Sequence, residues 1–229
     1  MKIPGITSGG SSGISKNAPI VSSGSNASVE GRKSLGETPP VRLDLATIGR
    51  LAAHFQAGGL VDRIRKRLNL LKNKKCQVVP AKGTTACIDD KELVYLGVEF
   101  LAQYENDPET LAGVLAHEWG HACAQRPTSD EIQELNWDEI FELRRAHETL
   151  ADEICGRLLF LMGYSPEGVI QFLQKGKETH NLKYHSPDVR GQIVRYGFES
   201  EKRKAQLARQ LFPSGTYSNN YSSSLLDIV

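Results

Sequence analysis

The stretch Leu111-Ala-Gly-Val-Leu-Ala-His117-Glu118-Trp-Gly-His121 decides how this chain is read. On a helix of about 3.6 residues per turn, His117 and His121 leave the same face about one turn apart, where two imidazoles can share one ion. Glu118, one position past the first His, aims its carboxylate at a water beside such an ion rather than at the ion itself. The helix is predicted from the residues before it. Asp107 serves as N-cap, Pro108 takes the first helical position, and Glu109 complements the positive end of the dipole. Leu111, Val114 and Leu115 continue an apolar stripe toward the two His, so that face is expected to look into the protein or a cleft.

A third ligand gives the pair its meaning. Glu148-Thr-Leu-Ala-Asp152 lies within a stretch from Trp137 to Met162 that reads as one long helix, with Leu150, Ile154, Leu158 and Leu161 as its apolar flank. Glu148 would complete a His-His-Glu set for one Zn2+ ion and leave a fourth tetrahedral position for water. Asp152, four residues on and on the same face, is expected to accept the other ring N–H of a ligand His, fixing its tautomer. The competing zinc pattern requires a Gly and a third His in the next six residues. Ala122-Cys-Ala-Gln-Arg-Pro127 does not supply them. His147 points about 100° away from Glu148 and is a minor alternative ligand. Cys123, two residues past His121, reads as a small hydrophobe in the core.

The run Asp107-Pro-Glu-Thr-Leu-Ala-Gly-Val-Leu-Ala-His-Glu-Trp-Gly-His121, followed by Glu148-Thr-Leu-Ala-Asp-Glu, resembles the gluzincin zinc peptidases. The group concerned contains the heat-shock protease HtpX and the CAAX prenyl protease, with small soluble relatives called minigluzincins. The similarity runs from about Cys76 to Arg195. It implies zinc held by His117, His121 and Glu148, with Glu118 as general base. It also implies that Cys76 to Leu101 form a small sheet whose edge strand lies above the active-site helix and takes substrate in extended form. Thr85-Ala86 stands where relatives commonly have Asn-Ala. His185-Ser-Pro-Asp-Val-Arg190 resembles a downstream His-Pro element followed by Arg, here with Ser186 inserted, so that either Arg190 or Arg195 matches the family Arg. The resemblance assigns His185 to oxyanion stabilisation. Tyr184 is the alternative donor, and a bland reading makes His185 the residue before a helix capped by Ser186 and started by Pro187.

Composition bounds the remainder. A formal net charge of +1 gives no global field for nucleic acid or an anionic membrane. The local run Arg63, Arg65, Lys66, Arg67, Lys72, Lys74 and Lys75 reads as the solvated face of a helix that buries Leu60, Ile64, Leu68 and Leu71. Cys76, Cys87, Cys123 and Cys155 form no C-x-x-C pair and fit reduced thiols of a cytosol-like compartment, although a 76–97 hairpin could bring Cys76 and Cys87 together for a bridge. Residues 1–40 hold nine Ser and seven Gly, too little apolar surface to offset the entropy of ordering them, and are expected to be disordered. That arm lacks the apolar core of a secretory signal, and no stretch reaches the ~18 apolar residues of a membrane span. Its composition resembles that of bacterial proteins injected into a target cell, so the expectation is a cytoplasmic protein or one exported without a conventional signal.

The expected organisation is therefore a loose arm at 1–40, a metallopeptidase domain at 41–212 and a flexible tail at 213–229. Within the domain, helices are predicted near 44–56, 60–73, 108–124, 137–162 (closed by Gly163), 166–175 (ended by Gly176), 187–196 and 199–211, with a β hairpin region at 76–97 and a loop at 125–136. This is an α+β class, a mostly helical zincin-like domain with a small sheet beside the active-site helix. The expected function is a zinc metalloendopeptidase acting on protein or peptide substrates, with no nucleic acid partner and no stable membrane insertion. The alternatives are a non-catalytic zinc-binding or scaffold module on a degenerate peptidase fold, and an enzyme of the same fold with a non-peptide substrate. Oligomeric state has no signature in the sequence.

Overall fold

The computed structural model describes residues 39–124, 129–175 and 184–211. The arm expected to be disordered, apart from Pro39 and Pro40, and the tail at 213–229 lie outside these residues, as does Gly176. The described elements are α1 (Ala52–Phe55), α2 (Leu60–Lys72), β1 (Gln77–Ala81), β2 (Ala86–Ile88), β3 (Leu93–Gly97), α3 (Val98–Tyr104), α4 (Pro108–Cys123), α5 (Ser129–Glu134), α6 (Trp137–Met162), α7 (Glu167–Lys175) and α8 (Pro187–Leu211). The class is α+β, mostly helical with one small sheet. Among the described residues no helix is long and apolar enough to cross a membrane.

α4 is the centre of the molecule. Its Leu-Ala-Gly-Val-Leu-Ala run is apolar on every side, and a helix apolar all round is buried all round. Every residue from Thr110 to Ala116 is buried, and so are Glu118, Trp119 and Gly120. The single inward stripe expected from the sequence is thus too narrow a description, because α2, α3, α6, α7 and β2 all pack against this helix. The start is as expected: Asp107 Oδ1 accepts from the Thr110 N–H at 3.1 Å, and Pro108 opens the helix. Trp119, wholly buried, donates its indole N–H to Asn69 Oδ1 at 3.1 Å, and Asn69 in turn donates to the Cys76 carbonyl at 3.0 Å. One polar side chain on α2 therefore satisfies the indole of the signature motif and fixes the entry to β1.

The sheet is not one hairpin. Its order is β1-β3-β2, with β1 parallel to β3 and β2 antiparallel to β3. The outer side of β1 is covered by residues 41–43, where the Leu43 N–H donates to the Pro80 carbonyl and the Lys82 N–H to the Val41 carbonyl. β2 is the opposite edge. Gly97 donates to the Thr85 carbonyl and Asp89 to the Leu93 carbonyl. By the alternation of an antiparallel ladder, Cys87 pairs with Tyr95 in the same sense, so the backbone groups of Ala86 and Ile88 point away from β3.

Several helix boundaries differ from expectation for identifiable reasons. The helix read at 44–56 is two 3-10 turns, Leu45–Thr47 and Gly49–Leu51, followed by α1, because Asp44 caps Ala46 and Gly49 adopts a φ of +55°. The two helices read on either side of Gly197 are one continuous α8. There the glycine is a packing residue, since a Cβ would lie 2.1 Å from the Glu153 carbonyl oxygen on α6. The supposed loop at 125–136 contains α5, and α3 was not foreseen. α6 spans the expected residues and closes at Gly163 with φ +79°, and its start carries a capping box between Asn136 and Glu139. Leu150, read as part of its apolar flank, is 41% exposed, whereas Ile154 and Leu158 are buried. The four cysteines are free thiols, so the Cys76–Cys87 bridge is not made. Cys76 and Cys155 are buried, and Cys123 packs against the core as expected.

Candidate metal centre

Two backbone crossings bring the site together. α4 and α6 run antiparallel, with Cys155 Sγ on the Gly113 carbonyl, Ala151 beside Gly120, and Glu148 beside His121. α6 and α8 run side by side in the same direction. Asp152 meets Arg190, Gly156 meets Val194, and Phe160 meets Phe198, one contact per turn on each helix. Contact this close needs glycine. A Cβ on Gly120 would lie 2.6 Å from the Ala151 Cα, and one on Gly156 would lie 1.9 Å from the Val194 carbonyl oxygen.

At the first crossing His117, His121 and Glu148 converge. The two imidazole Nε2 atoms are 3.1 Å apart. His117 Nε2 lies 3.3 Å from Glu148 Oε2, and His121 Nε2 lies 3.4 Å from Glu148 Oε1. Ligand atoms held ~2.0–2.1 Å from a tetrahedral ion stand about 3.4 Å from one another, so all three separations suit one ion. The donor set also suits it, with two neutral-capable imidazoles and one carboxylate. These residues fit a metal ion.

The surrounding charges are paired. Arg190 donates from Nε and Nη2 to both oxygens of Asp152, at 2.8 and 2.9 Å, and its Nη2 is also 3.3 Å from Glu148 Oε2. Asp152 Oδ1 lies 2.8 Å from His117 Nδ1, the pairing expected from the sequence. Burial opposes the charged form of every member, and opposite charge outweighs it throughout. His117 is held well above the usual imidazole range by Asp152 and Glu148, both carboxylates are held below theirs, and Arg190 is held above its own. The same carboxylates would stabilise a dication held by the two imidazoles and Glu148.

The cluster opens into a cavity of about 260 Å³. Glu118, 5% exposed, lines it beside the two His. Thr85 and β2 form one wall, and Val169, Phe172 and Leu173 of α7 form an apolar wall. Arg144 and His147 of α6, together with Tyr184 and Arg190, complete its lining.

The structure thus brings together His117, Glu118, His121, Glu148 and Asp152. Between the two candidate arginines it is Arg190 that reaches the site. Arg195 pairs with Glu167 on the surface. His147 lines the cavity without joining the ligand group. His185 is half-buried and is not among the lining residues. Tyr184 is, with the Arg190 guanidinium 5.4 Å from its ring centre. Sequence reasoning did not single out Arg144, although its place one helical turn before Glu148 is a usable signal. The α7 wall had no such signal, because its position depends on tertiary packing. The basic run on α2 is largely occupied: Asp62 pairs with Arg65 and Lys66, Arg63 donates to the Gly58 carbonyl, and Lys74 pairs with Glu92. Comparison with protein-family models, curated proteins and solved structures gave no match.

Proposed function

We propose that the chain is a zinc-dependent metalloendopeptidase with a zincin-like fold, related to the gluzincins. The observation that carries this reading is that His117, His121, Glu148 and Glu118 share one cavity lined in part by β2, whose outer edge is paired with no strand among the described residues. A zinc ion held by the three ligands supplies a Lewis acid and lowers the pKa of a water from ~15.7 toward ~7.

The chain's own residues do the rest. Ala86 and Ile88 direct backbone groups outward, which lets an extended peptide add to β2 as a further antiparallel strand. A Glu118 carboxylate oxygen takes the proton of the attacking water and returns it to the leaving amine nitrogen. Tyr184, which lines the cavity, is the donor this reading assigns to the carbonyl oxygen as charge develops there, in place of the His185 that the family resemblance implies. Arg190 and Asp152 hold Glu148 and His117 in place from behind.

The test is Glu118→Gln. Zinc content is expected to be retained while cleavage falls by roughly 10²–10⁴-fold. Mass-spectrometric mapping of new termini in a treated lysate reads this directly. Wild-type cleavage by the purified, zinc-loaded variant would defeat the assignment.

A further inference from the structure

α8 is longer than its packing against α6 and α7 requires. Phe198 meets Phe160 just before α6 ends at Met162, and α8 then continues for about 20 Å to Leu211. From Lys202 onward none of its residues is buried. A helical segment without a buried face draws on propensity alone, which is marginal in water. The same helix carries an apolar stripe. At ~100° per residue, Val189, Ile193, Tyr196, Leu207 and Leu211 fall within an arc of about 60°, roughly a third of a turn round from the residues it buries. Ile193 is half-buried, and the other four are between 40% and 71% exposed. Apolar side chains aligned toward solvent over this length mark an association surface.

The stripe is complementary to its own reversal. Turned end for end about Ser200, it sets Val189 against Leu211 and Ile193 against Leu207 of a second copy, with the small Ser200 side chain at the closest approach. Tyr196 then faces Arg203, and a guanidinium over an aromatic ring is attractive. Charge selects the same orientation. Lys202, Arg203, Lys204 and Arg209 outnumber Glu201 in the outer half, whereas Asp188 and Glu199 balance Arg190 and Arg195 in the inner half. A parallel pair would lay the four cations against themselves, and an antiparallel pair sets them against the balanced half. We propose that α8 is a homodimer interface, pairing antiparallel with α8 of a second copy about a two-fold axis at Ser200. The outer half of each copy gains in this way the buried face it lacks, on Val189, Ile193 and Tyr196 of the other.

Sedimentation of the full chain across roughly 1–100 µM, where interfaces of modest size assemble, should show a monomer passing into a dimer. Leu207→Glu should raise the dissociation constant roughly 10–100-fold, with circular dichroism reporting retained helix. Cysteine crosslinking reads the orientation and does not depend on that variant folding. Under oxidation, Ser200→Cys should form a bridge between the two residues 200, and a mixture of Ile193→Cys with Leu207→Cys should form a 193–207 bridge, both identified by peptide mapping against the wild-type thiols. Leu207→Cys should form no bridge with itself. A monomer throughout the concentration range, the result expected if residues 213–229 or a different protein cover the stripe, overturns the proposal. So does a dimer that Leu207→Glu leaves unchanged. A 207–207 bridge, or none through residue 200, overturns the antiparallel pairing.

Discussion

Gly120→Ala is the substitution that best separates metal geometry from stability. The added Cβ would sit 2.6 Å from the Ala151 Cα and 2.7 Å from its carbonyl oxygen, both backbone atoms of α6. Unstrained contacts are about 3.5–4.0 Å, so α4 and α6 must part by about 1 Å at their crossing. His121 is the next residue on one helix, and Glu148 lies one turn away on the other. Their 3.4 Å separation would open beyond about 4 Å, whereas metal sites tolerate about 0.2 Å in ligand distance. Overpacking costs roughly 1–3 kcal/mol. Replacing a helical Gly with Ala returns about 0.8–1 kcal/mol of intrinsic propensity, which leaves a net loss of about 0–2 kcal/mol. Zinc affinity should fall by at least the ~10–100-fold that accompanies loss of an outer-shell partner. Competition against a chromophoric chelator measures that, with circular dichroism reporting retained helix. Wild-type affinity in a folded Gly120→Ala protein would refute the claim that this close approach sets the ligand geometry.

Two further outcomes follow from the same site. Arg190→Met should destabilise the protein by about 3–5 kcal/mol in urea unfolding, because it leaves the Asp152 carboxylate, 2% exposed, without its guanidinium; a loss below about 1 kcal/mol would show that His117 alone suffices. Chelation should lower the melting temperature and zinc should restore it, by about 2.7 kcal/mol at a free zinc concentration 100 times Kd, or roughly 5–10 °C for a domain of this size. Identical melting with chelator and with zinc would remove the metal reading.

The site was more legible than the fold around it, and the reason is local periodicity. His117, His121, Glu148 and Asp152 are each set by four-residue spacing on a helix, which the chain encodes directly, and the Asp107-Pro108 cap marks where one of those helices begins. What packs these helices against each other and against α7 and α8 is not encoded that way. Gly113, Gly120, Gly156 and Gly197 each lie where a neighbouring backbone or the Val169 side chain comes within 2.6 Å of the missing Cβ, and in a one-dimensional reading such residues look like helix breakers or nothing at all. Separate helices are expected at 187–196 and 199–211, whereas α8 passes through Gly197 unbroken. The sheet order was hidden because a parallel β1–β3 pair has no turn signature of its own, unlike the Asp89–Glu92 turn that joins β2 to β3.

The register of the three helices then explains why Arg190 rather than Arg195 serves the site. α8 lies parallel to α6 with one contact per turn at Asp152–Arg190, Gly156–Val194 and Phe160–Phe198. The central contact is backbone to side-chain-free backbone, so it cannot slide without a clash. A slip of one turn would place Val194 opposite Asp152 and leave a buried carboxylate facing an aliphatic side chain. The register is therefore held twice, by close packing at Gly156 and by charge at Asp152. Arg195, one position past Val194, points away from α6 and reaches Glu167 on α7 instead, tying α7 and its apolar cavity wall to α8. The candidate metal ligands thus depend on α8 although it contributes none of them, because the same guanidinium that neutralises Asp152 also reaches Glu148.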